Sequence, residues 1–294
     1  MKCPMKLSVI AVFALLSVFV HPLLLSACTS FAVYSKKTIY GMNFDYEPNL
    51  LQIFTISSGI QGKVFQLRPF GFGEVAGMNS KGLFASCQGL IPEENPPATR
   101  EKNQISTWIF HQMVLSRFEQ MSQVLGFLNN KQVVQSFGTS MHNLVADRFG
   151  NAIVVETGEN ENQITSILDQ HIVMTSIPNY RLKGKSFKEA EGIGAERFKV
   201  AHRYIKSNIK GFDIEKGIEV LKLAKYQSET YKTRCSMVFD PDKKEIFICL
   251  EGDFRKIWKV SLENQTIETH RGFASFKRKP IPAEGMLASE LAQW

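Results

Sequence analysis

The sequence predicts an α+β protein in which two antiparallel sheets pack face to face and helices cover both outer faces, a four-layer αββα order. Three observations carry that expectation. Strand and helix patterns come in blocks (strands, helices, strands, helices, strands) rather than in the strict alternation that builds a parallel sheet. The strand runs are rich in β-branched and aromatic residues and are broken by short polar turns. No repeat, low-complexity segment or linker interrupts residues 28–294, so they are expected to form one domain.

The first 27 residues stand apart. Lys2 and Lys6 precede an almost unbroken apolar run from Leu7 to Val20, and "LLLSA" then ends in small residues before Cys28. That order of basic, apolar and small-residue regions is a secretory signal peptide. An apolar stretch of about 20 residues also suffices for an uncleaved span, but the small residues and the strand pattern at once behind them favour cleavage after Ala27. The mature protein is then secreted or periplasmic.

The elements follow in order. "TSFAVY" (29–34), "KTIYGMNF" (37–44), "LQIFTIS" (51–57) and "KVFQL" (63–67) read as strands. "GFGEVAGMNSKGL" is a glycine-rich passage leading to another short strand, without the spacing of a dinucleotide fingerprint. Within it, Asn79 and Gly82 read as a tight turn. "ENPPATREKN" (94–103) is a loop. "STWIFHQMVLSRF" (106–118) and "MSQVLGFLNN" (121–130) show helical spacing, with Ser106 and Ser122 as expected caps. "HNLVAD" and "NAIVVET" flank a turn at Asp147 and Gly150, and "QITSIL" and "HIVMTS" follow as strands. "GAERFKVAHRYIKS" and "DIEKGIEVLKLAKY" are helices. The hairpin "RCSMVFDPDKKEIFICL" and "KIWKVSL" close the fold.

Composition narrows the function classes. The formal net charge is +7, two lysines of it in the leader, and the basic residues are scattered apart from "FKRK" at 276–279. Scattered lysine is a solvated surface, so no nucleic-acid partner is expected. His111, His142 and His202 are isolated in sequence and lack ligand spacing, so neither a metal nor a cofactor is expected. Cys28, Cys87, Cys235 and Cys249 are too few for a disulfide scaffold. Cys235 and Cys249 are equidistant from Asp242 at a hairpin tip, and are either a bonded pair or two small buried thiols.

Cys28 at the cleavage junction carries the chemistry. A cysteine that begins a chain has its own base beside it: an α-amino group with an ordinary pKa near ~8 can take the thiol proton directly or through one water. The thiolate attacks a carbonyl, and the same nitrogen returns the proton to the leaving amine.

"CTSFAVYSKKTIYGMNFDY" resembles the N-terminus of the choloylglycine hydrolase family, the N-terminal-nucleophile amidases that include bile salt hydrolases and penicillin V acylases. The resemblance continues through "GMNSKGL" (77–83), "HNLVADRFGNAIVVE" (142–156), "VMTSIPNY" (173–180) and "TRCSMVFDPDKKEIFI" (233–248). It implies the αββα N-terminal-nucleophile sandwich. It also implies hydrolysis of linear amide C–N bonds through an acyl-thioester on Cys28, with Asp45 of "GMNFDY" as the carboxylate beside it. The substrates implied are small N-acyl amides such as conjugated bile salts, penicillin V, acyl-homoserine lactones or fatty-acyl amino acids.

There are departures. Met42 stands where the family has arginine, which shifts the expected charge onto Arg234 and makes Met42 a candidate for an apolar part of the pocket. Ser176 replaces the asparagine that stabilises the oxyanion, leaving Ser176 or the nearby Asn179 for that role, with Gln88 as second donor. Two rival readings stay open. "LSAC" (25–28) also fits a lipobox, which would make the chain a lipid-anchored binding or structural protein and block both thiol and amine. An acyltransferase on the same fold would pass the acyl group to an amine instead of water. A homo-oligomer is compatible with the sequence.

Overall fold

The register of a strand decides which of its side chains meet the second sheet and which meet a helix, and in the computed structural model that sorting builds four layers. The structure describes residues 28–69, 73–90, 103–135 and 140–294. The expected leader and nearly all of the loop at 94–103 lie outside the described residues.

The first sheet contains, in spatial order, β12 (His171–Met174), β1 (Thr29–Tyr34), β2 (Thr38–Tyr46), β13 (Lys232–Asp240), β14 (Glu245–Leu250), β15 (Ile257–Ser261), β16 (Thr266–Arg271) and β17 (Arg278–Pro280). The second contains β11 (Asn162–Ser166), β10 (Ala152–Thr157), β9 (Met141–Ala146), β6 (Phe84–Gly89), β5 (Ala76–Asn79), β4 (Gly62–Pro69), β3 (Gln52–Gly59) and β18 (Met286–Leu287). Every neighbour pair in both is antiparallel. A small parallel pair, β7 (Gln104–Ser106) with β8 (Gln132–Val134), sits beside them.

Alternation does the rest. On β2, Tyr40, Met42 and Phe44 point between the sheets and pack with Phe54, Phe65 and Phe84 of the opposite layer. Ile39 points outward to α3 (Ala195–Asn208) and α4 (Ile214–Leu223), joining Phe198 and Ile218. On the far side, α1 (Thr107–Arg117) and α2 (Met121–Leu128) bury Phe110, Val114 and Val124 against Ala85 and Val145. This is the expected αββα sandwich. Burying a large apolar side chain contributes roughly 1.5–3 kcal/mol, so all three interfaces are needed to offset chain entropy.

Several local expectations change. Ser106 caps α1, accepting from the Ile109 N–H, but Ser122 lies inside α2. The N–H of Met121 is bonded by Asp147 Oδ2 at 2.9 Å, so a distant turn residue supplies the cap. The passage expected as a glycine-rich lead-in contains β5, because its apolar residues meet α1 and the opposite sheet. Asn79 accepts from Lys81 and Leu83 N–H while Gly82 takes φ +84, the tight turn expected there. Four elements beyond β15 carried no strong sequence pattern: β16, β17, β18 and a last short helix, α5 (Ala288–Ala292).

The cysteine hairpin is corrected by one residue. Asp240 pairs with Glu245, so the turn centres between Asp242 and Lys243 rather than on Asp242. Cys235 therefore faces Leu250 and Cys249 faces Ser236. Cys235 lies in the inter-sheet core and Cys249 under the helices, both as free thiols. A one-residue shift of register moves a side chain to the other face.

Candidate active site

Cys28 sits immediately before β1, the strand held between β12 and β2. Thr29 pairs with Asn43, which sets Cys28 against the end of β2 at Phe44 and Asp45. Its side chain enters the inter-sheet core and is 1% exposed. The Asp45 N–H points at Sγ from 3.5 Å. Burial pushes the thiol up to about 12, and the Asp45 charge adds to that, against smaller lowering by the Asp45 N–H and by Arg197.

The carboxylate of Asp45 leaves β2 on the helix side, where two residues meet it. Arg197 Nη1 lies 3.3 Å from Oδ2 and also donates to the Cys28 carbonyl at 3.2 Å. Thr233 Oγ1 donates to Oδ1 at 2.5 Å. A β-bulge between Thr233 and Cys235 places Thr233 there. Asp45 is wholly buried, and its pKa rises to about 7 through desolvation, which Arg197 and the Thr233 bond oppose. Arg197 is held below its ordinary value by its own burial, against the pull of Asp45 and Cys28. The tip of its guanidinium also lies over the Tyr226 ring, 5.3 Å from the centroid.

Arg197 is the arginine that sequence reasoning missed. Arg234 points away, to Glu251 at 2.6 Å on a partly open rim. The signal for Arg197 was available: with Ala201 and Ile205 it forms an i, i+4, i+8 stripe, so a cation lies on the buried face of α3. Gly194 makes the approach close. It caps α3 at φ +99, and a Cβ there would stand 3.1 Å from both Arg197 Nη2 and the Ser176 nitrogen.

The expected oxyanion residues are distributed differently. Ser176 is buried just beyond β12. Asn179 gives one amide N–H to the Val173 carbonyl at 2.9 Å, which fixes the loop. Gln88 lies in a buried chain. Ser30, two residues from Cys28, donates to Gln88 Oε1 at 3.4 Å; Gln88 Nε2 meets His142 Nε2 at 3.4 Å; and His142 Nδ1 meets Glu156 Oε1 at 3.2 Å. Glu156 also accepts the N–H groups of Asn179 and Tyr180 at 2.8 and 2.9 Å. A carboxylate only accepts, so His142 carries its proton on Nδ1 and Gln88 must present its amide N–H to Nε2. Among the described residues, Gln88 keeps one amide N–H unspent. Neither His142 nor His202 is isolated in space: His202 Nδ1 lies 2.9 Å from His171 Nε2.

Met42 faces the inter-sheet interior with Cys28, fully buried and opposite Met237 and Ser30. A side chain there leaves the strand on the face opposite to the Asp45 carboxylate, so the site's cation arrives from α3 instead. Taken together, a thiol enters one face of the sheet while on the other a guanidinium, itself paired with the Asp45 carboxylate, grips the carbonyl of the same residue. That arrangement can hold a terminal amine beside a thiol.

Residues 33–186 match the family model described as acyl-coenzyme A:6-aminopenicillanic acid acyl-transferase. No curated protein matches the sequence. Among solved structures, conjugated bile acid hydrolase from Clostridium perfringens superposes with TM-score 0.62 at 15% identity, covering 87% of this chain and 97% of that one. Penicillin V acylase from Agrobacterium tumefaciens superposes with TM-score 0.61 at 16% identity, covering 82% and 90%. These likenesses establish the shared fold.

Proposed function

The chain belongs to the acyl-coenzyme A:6-aminopenicillanic acid acyl-transferase family, and from that premise we propose that it cleaves linear amide C–N bonds of N-acyl compounds through an acyl-thioester on Cys28. Removal of residues 1–27 on secretion turns the Cys28 nitrogen from an amide into an amine. That amine takes the thiol proton as Sγ adds to the substrate carbonyl, and returns it as the C–N bond breaks and the amine product leaves. Water then adds to the thioester, the acid departs, and the thiol is restored.

Asp45 and Arg197 position the amine by holding the Cys28 backbone, and Thr233 orients Asp45. Ser176 and the unspent N–H of Gln88 stabilise the oxyanion; one such donor is typically worth ~2.7–4 kcal/mol. The single observation that carries the reading is the convergence of Asp45 and Arg197 on the residue at the predicted cleavage junction. A lipid-anchored protein needs no buried carboxylate–guanidinium pair there.

The family description favours a second reading for the final step, in which an amine instead of water receives the acyl group. One experiment addresses both. Mature protein starting at an unmodified Cys28, identified by intact mass, is given conjugated bile salts, penicillin V, acyl-homoserine lactones and fatty-acyl amino acids, with and without added 6-aminopenicillanic acid. Release of free acid supports the hydrolase, and amide product supports the transferase. Cys28→Ser should abolish both, because a hydroxyl is a poor nucleophile without stronger activation. Undiminished turnover by the serine variant, or a mature mass raised by several hundred daltons of lipid, overturns the proposal.

A further inference from the structure

Away from Cys28, the two sheets end at their edge strands β11 and β12, and a cavity of about 820 Å³ opens between these edges, α3 and the segment 182–188. That volume falls in the range of small-molecule sites. The cavity's β12 wall runs from Val173, opposite Phe31, to His171, opposite Val33, three to five residues along β1 from Cys28, which puts it roughly 10–17 Å from the thiol at ~3.3 Å per residue. Neither Cys28, Ser176 nor Gln88 lines it.

Its chemistry is two-sided. Leu168, Leu182, Phe187 and Phe198 supply apolar wall, with Leu168 88% exposed. Lys183, Lys185, Lys188 and Lys206 supply four cations around the rim against a single acid, Asp169. Between wall and rim sits the His171–His202 pair, its ring nitrogens 2.9 Å apart. The pair shares one proton, so whichever tautomer forms, one outer ring nitrogen still carries an N–H.

A separate observation points to an occupant. Asn179 lines the cavity, is only 4% exposed, and its Oδ1 has no hydrogen-bond partner among the described residues. Its Nδ2 is fixed on the Val173 carbonyl, so Oδ1 cannot be exchanged by flipping the amide. Thr165 Oγ1 lines the same cavity, buried and also unpartnered. An unsatisfied buried acceptor costs ~1–3 kcal/mol; both atoms are closed to solvent here, so a ligand hydroxyl or amide N–H relieves that cost by a small shift of the lining side chains.

We propose that this cavity is a second, non-catalytic binding site for an amphiphilic anion: an apolar chain against Phe187, Phe198 and the leucines, a carboxylate-type head among the lysines, and a hydrogen-bond donor near the head for Asn179. The four cations and the apolar wall each select one half of such a molecule, and neither half alone accounts for both. Helix α3 carries Phe198, His202 and Lys206 on this cavity and Arg197 on Cys28.

The test uses mature protein carrying Cys28→Ala, so that the catalytic thiol takes no part. Calorimetric titration with dodecanoate, below its micelle concentration, should show one saturable site. Dodecanol should bind at least ten-fold more weakly, and 2-hydroxydodecanoate several-fold more tightly. Lys188→Glu with Lys206→Glu, both at exposed positions, should weaken dodecanoate at least ten-fold. A diazirine-bearing dodecanoate should label the 164–188 segment, a readout that needs no variant. Equal affinity for dodecanol, unchanged binding in the double variant, labelling elsewhere, or no saturable binding overturns the proposal.

Discussion

Asp45→Asn separates two roles that a buried carboxylate beside a thiol can play. Burial raises the Asp45 pKa from 3.8 to about 7. Three units correspond to ~4 kcal/mol at ~1.36 kcal/mol per unit. The sign is fixed by linkage: a carboxyl raised on folding binds its proton more tightly in the native state. Its contribution is full below about pH 4 and is lost as pH climbs through about 7. The asparagine variant has no such term. In a chain that retains residues before Cys28, urea denaturation should show the variant gaining on wild type by ~4 kcal/mol between pH 4 and pH 8.

The same substitution should split thiol reactivity from turnover. The Asp45 charge is the second cause raising the Cys28 pKa, so removing it lowers that value and speeds alkylation. If Asp45 holds the terminal amine, turnover by the mature variant should nevertheless fall ~10²–10⁴-fold, the usual worth of a positioned acid–base group. Wild-type turnover should itself fall as pH drops below about 7, where Asp45 takes its proton. The assay is iodoacetamide alkylation followed by intact mass, beside amide turnover, from pH 6 to 9. Alkylation and turnover falling together would refute the reasoning, as would turnover that does not change.

Arg197→Met should destabilise the protein by ~3–5 kcal/mol, the cost of breaking a buried pair, and should abolish turnover; thermal unfolding and kinetics check both. Arg234→Met should cost under ~1 kcal/mol and leave turnover near wild type, because Lys232 also meets Glu251, at 2.9 Å, on that open rim. A mature chain beginning with one extra alanine before Cys28 should fold, by its melting curve, and lose nearly as much activity as a thiol deletion. Mature protein unfolded without reductant should titrate four free thiols; two would mean that Cys235 and Cys249 had bonded despite lying on opposite faces of the sheet.

Much of this architecture was legible because period two and period 3.6 are local signals. "TSFAVY" became β1 to the residue, since its apolar residues serve both faces of a strand buried from Thr29 to Val33. The second half of the site was not legible, because it depends on register. Asp45 and Met42 are three residues apart on β2 and therefore point to opposite faces. A sequence that lacks arginine at 42 looks as though it lacks the site's cation. The cation is supplied by α3, whose placement depends on Gly194 accepting a left-handed conformation against Ser176. Thr233 needed a bulge that no residue type announces. The cysteine hairpin failed by half a residue at the turn centre, which in a strand is a full reversal of face.

β1 also explains why processing position should matter as much as the identity of the nucleophile. One strand brings the whole site together: β2 on one edge delivers Asp45, β12 on the other leads to Ser176, and Ser30 within it reaches Gln88 on the opposite sheet. Asp45 and the approach to Ser176 are fixed relative to β1 by ladder pairing and Gln88 by the Ser30 bond across the sheets, so none can follow a displaced terminus. Cleavage one residue early would put the terminal nitrogen on Ala27, ~3.3 Å from its place, and leave the Cys28 nitrogen an amide; cleavage one residue late would remove Cys28. In the first case the thiol stays between the sheets without a free amine on its own residue, and the new amine lies beyond the reach of Asp45 and Arg197; in the second there is no thiol. A buried thiol with a pKa of about 12 is inert without its own amine beside it. The chemistry proposed here therefore depends on the backbone position of one nitrogen, set by the cut and held by Asp45 and Arg197.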